Sequence, residues 1–392
     1  MKRLVFGAVI FAVVVSLSFL GGCGKDNTGE KDEYQRDSVL EYSFSKAQFV
    51  FGFASGKQYS YCPSVLLQAD GSKHIYFCGN PTPGTMVDNV YHFIENKDGS
   101  KTTAKSVLQP SLSWDSHHTC DPSVIQGEFL YEGVTYKYAM FFLSNPKEYY
   151  YNEVGVAFSN DLDADSWVKF PTQVVYKTWS GEGDQSLGGS NKSWGVGQPS
   201  AVSLDKKGKV LLTYTIGDSS GTRLAYSVFD FSDMSKFSPE KGTDANNAGI
   251  LQIDGKTSDI LANCDIAINQ DENKIVMSRP VHPFSSTYPA YIASVIEIDY
   301  MDLDAFLAGT EKWTAIGRIT SDVSGFPRNH NAGVMRDNFG HIKDWETPTI
   351  YFTVSKESPS VSASSGNNAE WTYHIYKTSI SKGYRYFNYK VR

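Results

Sequence analysis

The sequence predicts an all-β fold, a five-bladed β-propeller, and three observations carry that expectation. One short phrase recurs five times, a pair of apolar runs separated by turn residues follows each copy, and no long stretch of helical period interrupts them. The copies are Cys62-Pro63-Ser64-Val65, Asp121-Pro122-Ser123-Val124, Gln198-Pro199-Ser200-Ala201, Asp265-Ile266-Ala267-Ile268 and Asn331-Ala332-Gly333-Val334. By subtraction their first residues step by 59, 77, 67 and 66 positions. A supersecondary unit repeated at such a period builds a propeller or a solenoid. Each copy opens on a polar or thiol side chain and runs into an apolar strand. Five strand starts then meet around one axis, each delivering its first side chain to the same place.

The chain begins with Lys2 and Arg3, an apolar run from Leu4 to Leu20, and Gly21-Gly22-Cys23. A charged start, an apolar centre and small residues at the cut make a secretory signal over residues 1–22. The Leu-Gly-Gly-Cys ending resembles a bacterial lipobox, which implies that Cys23 is lipidated and becomes the first mature residue. Residues 23–38 are polar and charged without apolar periodicity and read as a flexible tether. The propeller domain then occupies 39–392. This places the protein in the bacterial cell envelope, anchored by lipid on a periplasmic or surface face of the outer membrane, with no other membrane contact expected.

Within the domain, second strands are expected at His74–Cys78, Tyr138–Leu143, Val210–Ile216, Ile275–Ser278 and Thr349–Val354. Most follow a Gly, Asp or Asn turn; the last follows a longer loop from Arg336. Third strands are expected at Val90–Phe93, Val154–Phe158, Leu224–Phe229, Tyr291–Ile296 and Trp371–Tyr376. Fourth strands have weaker signals. Three or four antiparallel strands per unit, repeated five times, make the five blades.

The formal charge of the full chain is −7; removing Lys2 and Arg3 with the signal leaves 34 basic against 43 acidic residues. No basic patch stands out, so nucleic acid is not an expected partner. Four cysteines remain after Cys23, and export permits pairing. Cys62 and Cys78 lie nearly opposite in one expected hairpin, while Cys120 and Cys264 each precede an Asp of the repeat; the connectivity stays open. No Cys-x-x-Cys or His-x-x-x-His spacing supports a metal site, and no cofactor is implied. Aromatics reach 14% of the chain, with 24 Tyr. Most suit blade packing, and Trp114, Trp179 and the tyrosines at 149–151 also suit stacking on sugar rings.

Three local pieces carry a family resemblance: Asp121-Pro122-Ser123-Val124, Tyr138-Ala139-Met140-Phe141-Phe142-Leu143-Ser144, and Asn152-Glu153-Val154-Gly155-Val156-Ala157-Phe158-Ser159 followed by Asp161 and Trp167. That succession, within a match over about residues 45–385, resembles the furanosidase-like five-bladed propellers, which include arabinanases, β-xylosidases, fructosidases and mannoside phosphorylases. The resemblance implies a carbohydrate ligand in the axial pocket, with a base Asp on blade one, a tuning Asp on blade two and an acid Glu on blade three. In this chain those positions read Cys62, Asp121 and Gln198, so only the blade-two carboxylate is kept. Glycoside hydrolysis takes one protonated and one ionised carboxyl, and here the set must be rearranged. Asp121 and Asp265 are the two carboxylates among the five aligned positions, and Glu182 and Asp184 in the Gly-rich 179–197 loop offer an acid. Cys62, Gln198, Asn331, His330, His118 and Trp114 are candidate ligand contacts. Arg279 is either a rim contact or a structural pair. Two function classes follow: a glycoside hydrolase with a rearranged catalytic set, or a glycan-binding or envelope-scaffold propeller without turnover.

The anchor is directly testable. Mass spectrometry of the mature protein should find a lipidated Cys23 at the N-terminus, and Cys23→Ser should leave an uncleaved or soluble product. A mature N-terminus elsewhere rejects the lipoprotein assignment.

Overall fold

A computed structural model describes residues 34–147, 150–176, 194–218, 220–358 and 369–390. Two strands, β1 (Tyr34–Phe44) and β2 (Gln48–Phe51), come first. Blade one is β3 (Ser60–Leu67), β4 (Lys73–Gly79), β5 (Asn89–Glu95) and β6 (Lys105–Leu108). Blade two is β7 (His118–Tyr131), β8 (Val134–Asn145), β9 (Glu153–Ser159) and β10 (Val168–Lys169). Blade three is β11 (Gly195–Ser203), β12 (Lys209–Asp218), β13 (Gly221–Asp230) and β14 (Thr243–Asp244). Blade four is β15 (Asp265–Asn269), β16 (Lys274–Pro280), β17 (Ile296–Asp302) and β18 (Thr314–Ile319). Blade five is β19 (Arg328–Val334), β20 (Thr349–Ser355) and β21 (His374–Lys390), completed by β2 and β1, which pair with β21 from the other end of the chain. Helices are confined to short turns such as Leu303–Ala308 and Ser321–Ser324.

Two expected third strands move. In blade four the strand is Ile296–Asp302 rather than 291–296, because Tyr291, Ile292 and Ala293 form cavity wall beyond Pro289, which has no N–H to give a ladder. In blade five Ala369–Thr372 is a 3₁₀ turn closed by the Tyr373 N–H on the Glu370 carbonyl, and the strand starts at His374. Residues 34–38, read from sequence as tether, belong to β1 and pair with 386–390.

Five apolar cores lie between consecutive blades. Phe141, Val156, Leu212 and Tyr214 lie between blades two and three, for example, and Val65, Ile75, Phe93, Tyr351 and Ile375 between blades one and five. Each fully buried side chain of this size contributes roughly 1.5–3 kcal/mol.

The recurring phrase has a backbone cause. Cys62, Asp121, Gln198, Asn263 and Asn331 all adopt positive φ, between 45° and 52°. The ladder register slips just after four of them, between Tyr61 and Ser64, Cys120 and Ser123, Gly197 and Ser200, and His330 and Gly333, which is a β-bulge that re-aims a side chain. This corrects the blade-four alignment by two residues. The left-handed position there is Asn263, a residue type that tolerates it, while Asp265 stands where the other blades have Ser64, Ser123, Ser200 and Gly333.

Those third positions join the blades. Ser64 Oγ accepts the Val124 N–H (3.4 Å), Ser123 Oγ that of Ala201 (2.9 Å), Ser200 Oγ that of Ile266 (3.0 Å) and Asp265 Oδ2 that of Val334 (2.7 Å). At the last joint a Cβ on Gly333 would sit 2.0 Å from the Pro63 carbonyl oxygen, so only glycine closes the ring. The segment after β19 then crosses the channel. Carbonyls of Arg336, Asn338, Phe339 and Gly340 accept the N–H groups of Leu67, Gln126, Ser203 and Ile268, one on the innermost strand of each of blades one to four. The buried Arg336 guanidinium donates to Ser123 Oγ (2.9 Å), Ser200 Oγ (3.3 Å) and the Ile266 carbonyl, and pairs with Asp265 Oδ1 at 3.3 Å.

Asp265 is therefore an inter-blade lock. Asp265→Ala should cost about 3–5 kcal/mol by leaving Arg336 buried and unpaired. Asp265→Ser, which restores the acceptor used on the other blades, should cost less. Chemical denaturation of the two variants measures the difference, and equal losses would show that the Val334 N–H bond is irrelevant.

Candidate active site

Four of the five left-handed residues, Asp121, Gln198, Asn263 and Asn331, line one cavity of about 620 Å³. The fifth, Cys62, sits behind this wall, its Sγ taking the Asn331 Nδ2–H at 2.8 Å. The bulges explain the convergence, because each turns the first side chain of its phrase away from the blade plane.

Asp121 is held by sulfur. Cys78 of β4 and Cys120 of β7 form a disulfide with Cα atoms 5.2 Å apart, stapling blade one to blade two. The Asp121 N–H donates to Cys78 Sγ at 2.9 Å, and Cys120 Sγ lies 3.3 Å from Asp121 Oδ1. Burial pushes the Asp121 carboxyl up to about 6; a hydrogen bond from Cys62 opposes this, the Asp88 charge adds to it, and His118 pulls it back. Burial likewise pushes the Cys62 thiol well above its usual range, helped by the Asp121 charge.

Asp88 lies just before β5. It accepts the Tyr59 hydroxyl at 2.7 Å and the Tyr61 hydroxyl at 3.0 Å, and His118 Nδ1 stands 3.4 Å from it. Glu370, in the 3₁₀ turn, takes both the Tyr288 and Tyr291 hydroxyls through Oε1, and its buried Oε2 has no partner among the described residues. His330 is 2% exposed, and burial pushes it down to about 4, so it is neutral at neutral pH. Its Nδ1–H donates to Asn331 Oδ1 at 2.5 Å, consistent with the Asn331 amide pointing its nitrogen at Cys62. His330 Nε2 is then a bare acceptor, and among the described residues neither it nor His118 Nε2 has a partner. A buried polar atom without a partner costs about 1–3 kcal/mol, which a hydroxyl-bearing ligand would relieve. Aromatic rings flank these groups, with Tyr59 stacked on Trp371 at 5.9 Å.

The sequence-predicted residues divide. Asp121, Gln198, Asn331, His330 and His118 all line the cavity, and Cys62 supports it. Three do not take part. Asp265 is occupied by Ser200, Val334 and Arg336. Arg279 is buried in a cage of Asp259 (2.8 Å), Asp299 (3.1 Å) and Glu297, a structural pair and not a rim contact. Trp114 stacks on Phe142 inside the blade and donates Nε1–H to the Pro171 carbonyl. Glu182, Asp184, Trp179 and Cys23 lie outside the described residues. Asp88, Asn263 and Glu370 were missed. Asp88 and Glu370 precede strands without sharing in the repeat, and their only sequence signal is an acid beside an apolar or aromatic run.

The described cavity lining carries three carboxyls, Asp88, Asp121 and Glu370, and three histidines, with no lysine or arginine. Cys62 Sγ, Cys78 Sγ and an Asp121 oxygen approach within 4.8 Å of one another. Cys78 is committed to the disulfide, so these are not a free ligand set for a metal. The equipment is one carboxyl that holds its proton up to about pH 6, other carboxyls in the same lining, and buried polar atoms without a partner among the described residues.

No family model matches the chain, and no curated protein sequence does. Solved structures do match in fold. A family 117 glycoside hydrolase from the marine bacterium Zobellia galactanivorans superposes with a TM-score of 0.53 at 10% identity, covering 87% of this chain and 90% of that one. The catalytic domain of a family 62 α-L-arabinofuranosidase from Coprinopsis cinerea gives 0.54 at 10% identity, covering 87% and 98%. The α-L-arabinofuranosidase of Podospora anserina, in complex with cellotriose, gives 0.52 at 8% identity, covering 87% and 97%. The chain is a five-bladed β-propeller, a fold it shares with these glycoside hydrolases.

Proposed function

We propose that the protein is a lipid-anchored envelope glycoside hydrolase that cleaves an uncharged oligo- or polysaccharide in the axial cavity. The observation that carries this reading is the Asp121 carboxyl, raised to about 6 on the cavity wall with the Asp88 charge beside it. A carboxylic acid that keeps its proton up to about pH 6 suits protonation of a glycosidic oxygen. Asp121 is assigned as that acid and Glu370, with its unpartnered Oε2, as the second carboxyl; Asp88 tunes Asp121. The neutral His330 Nε2 accepts a sugar hydroxyl, His118 Nε2 meets another, and the lining rings Tyr291, Phe284 and Trp194 stack on ring faces. The lining favours an uncharged sugar because three carboxyls with no lysine or arginine repel uronates and sulfate esters.

A second reading rests on one specific observation. Cys62 and Gln198 stand where related propellers carry their base and acid, which suits a glycan-binding or scaffold propeller without turnover. The test is a broad panel of neutral and acidic glycans assayed for reducing-end release. If the wild type binds a glycan, releases no ends, and binds equally as Asp121→Asn, the hydrolase reading fails and the binding reading stands.

For the hydrolase, Asp121→Asn and Glu370→Gln should each lower kcat by about 10²–10⁴-fold with the fold unchanged by circular dichroism. The profile of kcat/KM should fall tenfold per pH unit above about 6, as Asp121 loses its proton. Asp88→Asn should move that limb to lower pH by removing the charge that helps raise Asp121. Stability carries the same group with a definite sign. Because the folded pKa lies above the unfolded one, the native state binds the extra proton between about pH 4 and 6, so unfolding free energy falls as pH rises through that window. Asp121→Asn should flatten that slope in denaturation curves taken from pH 4 to 7.

A further inference from the structure

We propose that the ribbon formed by β1 and the far half of β21 is a membrane-docking element that seats on an anionic bilayer surface. From Phe44 paired with Ile380 to Tyr34 paired with Lys390, the two strands run together as an antiparallel pair, packed on the body at its root through Tyr42, Phe44 and Ile380. Past residue 379, β21 no longer pairs with β20, so the ribbon leaves the blade with both edges open. Beyond that root, the seven residues from Leu40 to Tyr34 at about 3.4 Å each carry it roughly 24 Å. Residues 381–387 are all exposed, including Tyr384 at 56%, Tyr386 at 54% and Phe387 at 45%. A two-stranded ribbon standing alone in water is marginal, and large aromatics on it call for a partner surface.

Three observations select a bilayer as that partner. The first is position. Tyr34 lies at the ribbon tip, eleven positions after Cys23, a reach of at most about 40 Å. The ribbon is the first described part of the chain after the expected lipid. The second is composition. Tyrosine is favoured at the headgroup level, where one end of the ring is apolar and the other wet, and strand alternation puts Tyr384 and Tyr386 on one face and Phe387 on the other. The third is charge. The ribbon strands contain Arg36, Lys382, Arg385 and Lys390 against Asp37 and Glu41, on a chain of net charge −7. Arg385 pairs with Glu41 at 2.9 Å and Lys382 with Glu346 at 2.5 Å, and by sequence one basic residue remains in excess once Glu346 is counted with the ribbon. A basic, aromatic ribbon on an acidic protein is attracted to anionic headgroups over about a Debye length. Tip-first seating adds a protein contact to the lipid that the sequence alone assigns, and it sets the propeller one ribbon length from the surface.

The test uses the lipidated full chain in vesicles of phosphatidylcholine with 30% phosphatidylglycerol as a ~ typical anionic surface, compared with the same protein in neutral detergent micelles. Amide hydrogen exchange over 380–390 should slow at least ~10-fold on the vesicles, with blade amides unchanged as the internal control of folding. The slowing should disappear in the Tyr384→Ser, Tyr386→Ser, Phe387→Ser triple variant. It should also weaken at high salt and in Lys382→Gln, Arg385→Gln. Equal exchange in the two environments overturns the proposal, as does slowing that survives the triple variant. Slowing in micelles that grows with protein concentration also overturns it, because the open edges would then be pairing with a second copy.

Discussion

The whole ring depends on what happens at its axis. Four innermost strands converge there with N–H groups that no neighbouring strand in their own blade can take. One short segment, 336–340, supplies a carbonyl to each of them in turn, and Arg336 fills the space between with donors to blades two, three and four. The arginine is tolerable only because Asp265 faces it and hydroxyls share its remaining hydrogens; a buried cation without such partners is strongly destabilising. Each blade packs mainly on its two neighbours, so the axis is where a local contact reaches nearly all of them at once.

That plug also explains how the cavity is divided from the interior. The chemistry lies on one side, where the left-handed residues deliver Asp121, Gln198, Asn263 and Asn331. The structural ion pair lies on the other. Asp121 and Asp265 look alike in sequence, each at the head of an apolar strand next to a cysteine, yet one faces the cavity and the other faces Arg336. Two residues of register separate the roles, because the first position of the phrase carries the bulge and the third carries the joint to the next blade.

How much was legible follows from where the signal lies. The five blades could be read because small residues and a bulge recur at fixed places, and because strand runs are local. The wall formed by Asp121, Gln198, His330, Asn331 and His118 could be read for the same reason. The blade-four register could not, since Asp265 matched the phrase by residue type while Asn263 matched it by backbone conformation, which a sequence does not print. Arg279 stood out correctly as an unusual charge, but its cage comes from Asp259, Glu297 and Asp299, each about twenty residues away, and only folding brings them together. Asp88 and Glu370 lie in turns outside the repeat, so no periodicity marked them. The pairing of residues 34–38 with 386–390 joins the two ends of the domain and has no local signature at all.

The left-handed ring has one more consequence. Holding a non-glycine residue at positive φ costs on the order of 1–2 kcal/mol, and here it is held five times by the bulges and the joints beneath them, not by the side chains themselves. The backbone therefore presents whatever residue stands there, and Cys, Asp, Gln and Asn all occupy equivalent sockets with φ within a few degrees of one another. Such a scaffold separates foldability from chemistry: the group in a socket can change while the propeller around it stays closed. A thiol at Cys62 and an amide at Gln198 are then different tools in the same holder, and the carboxyls Asp88 and Glu370 reach the cavity from outside the sockets.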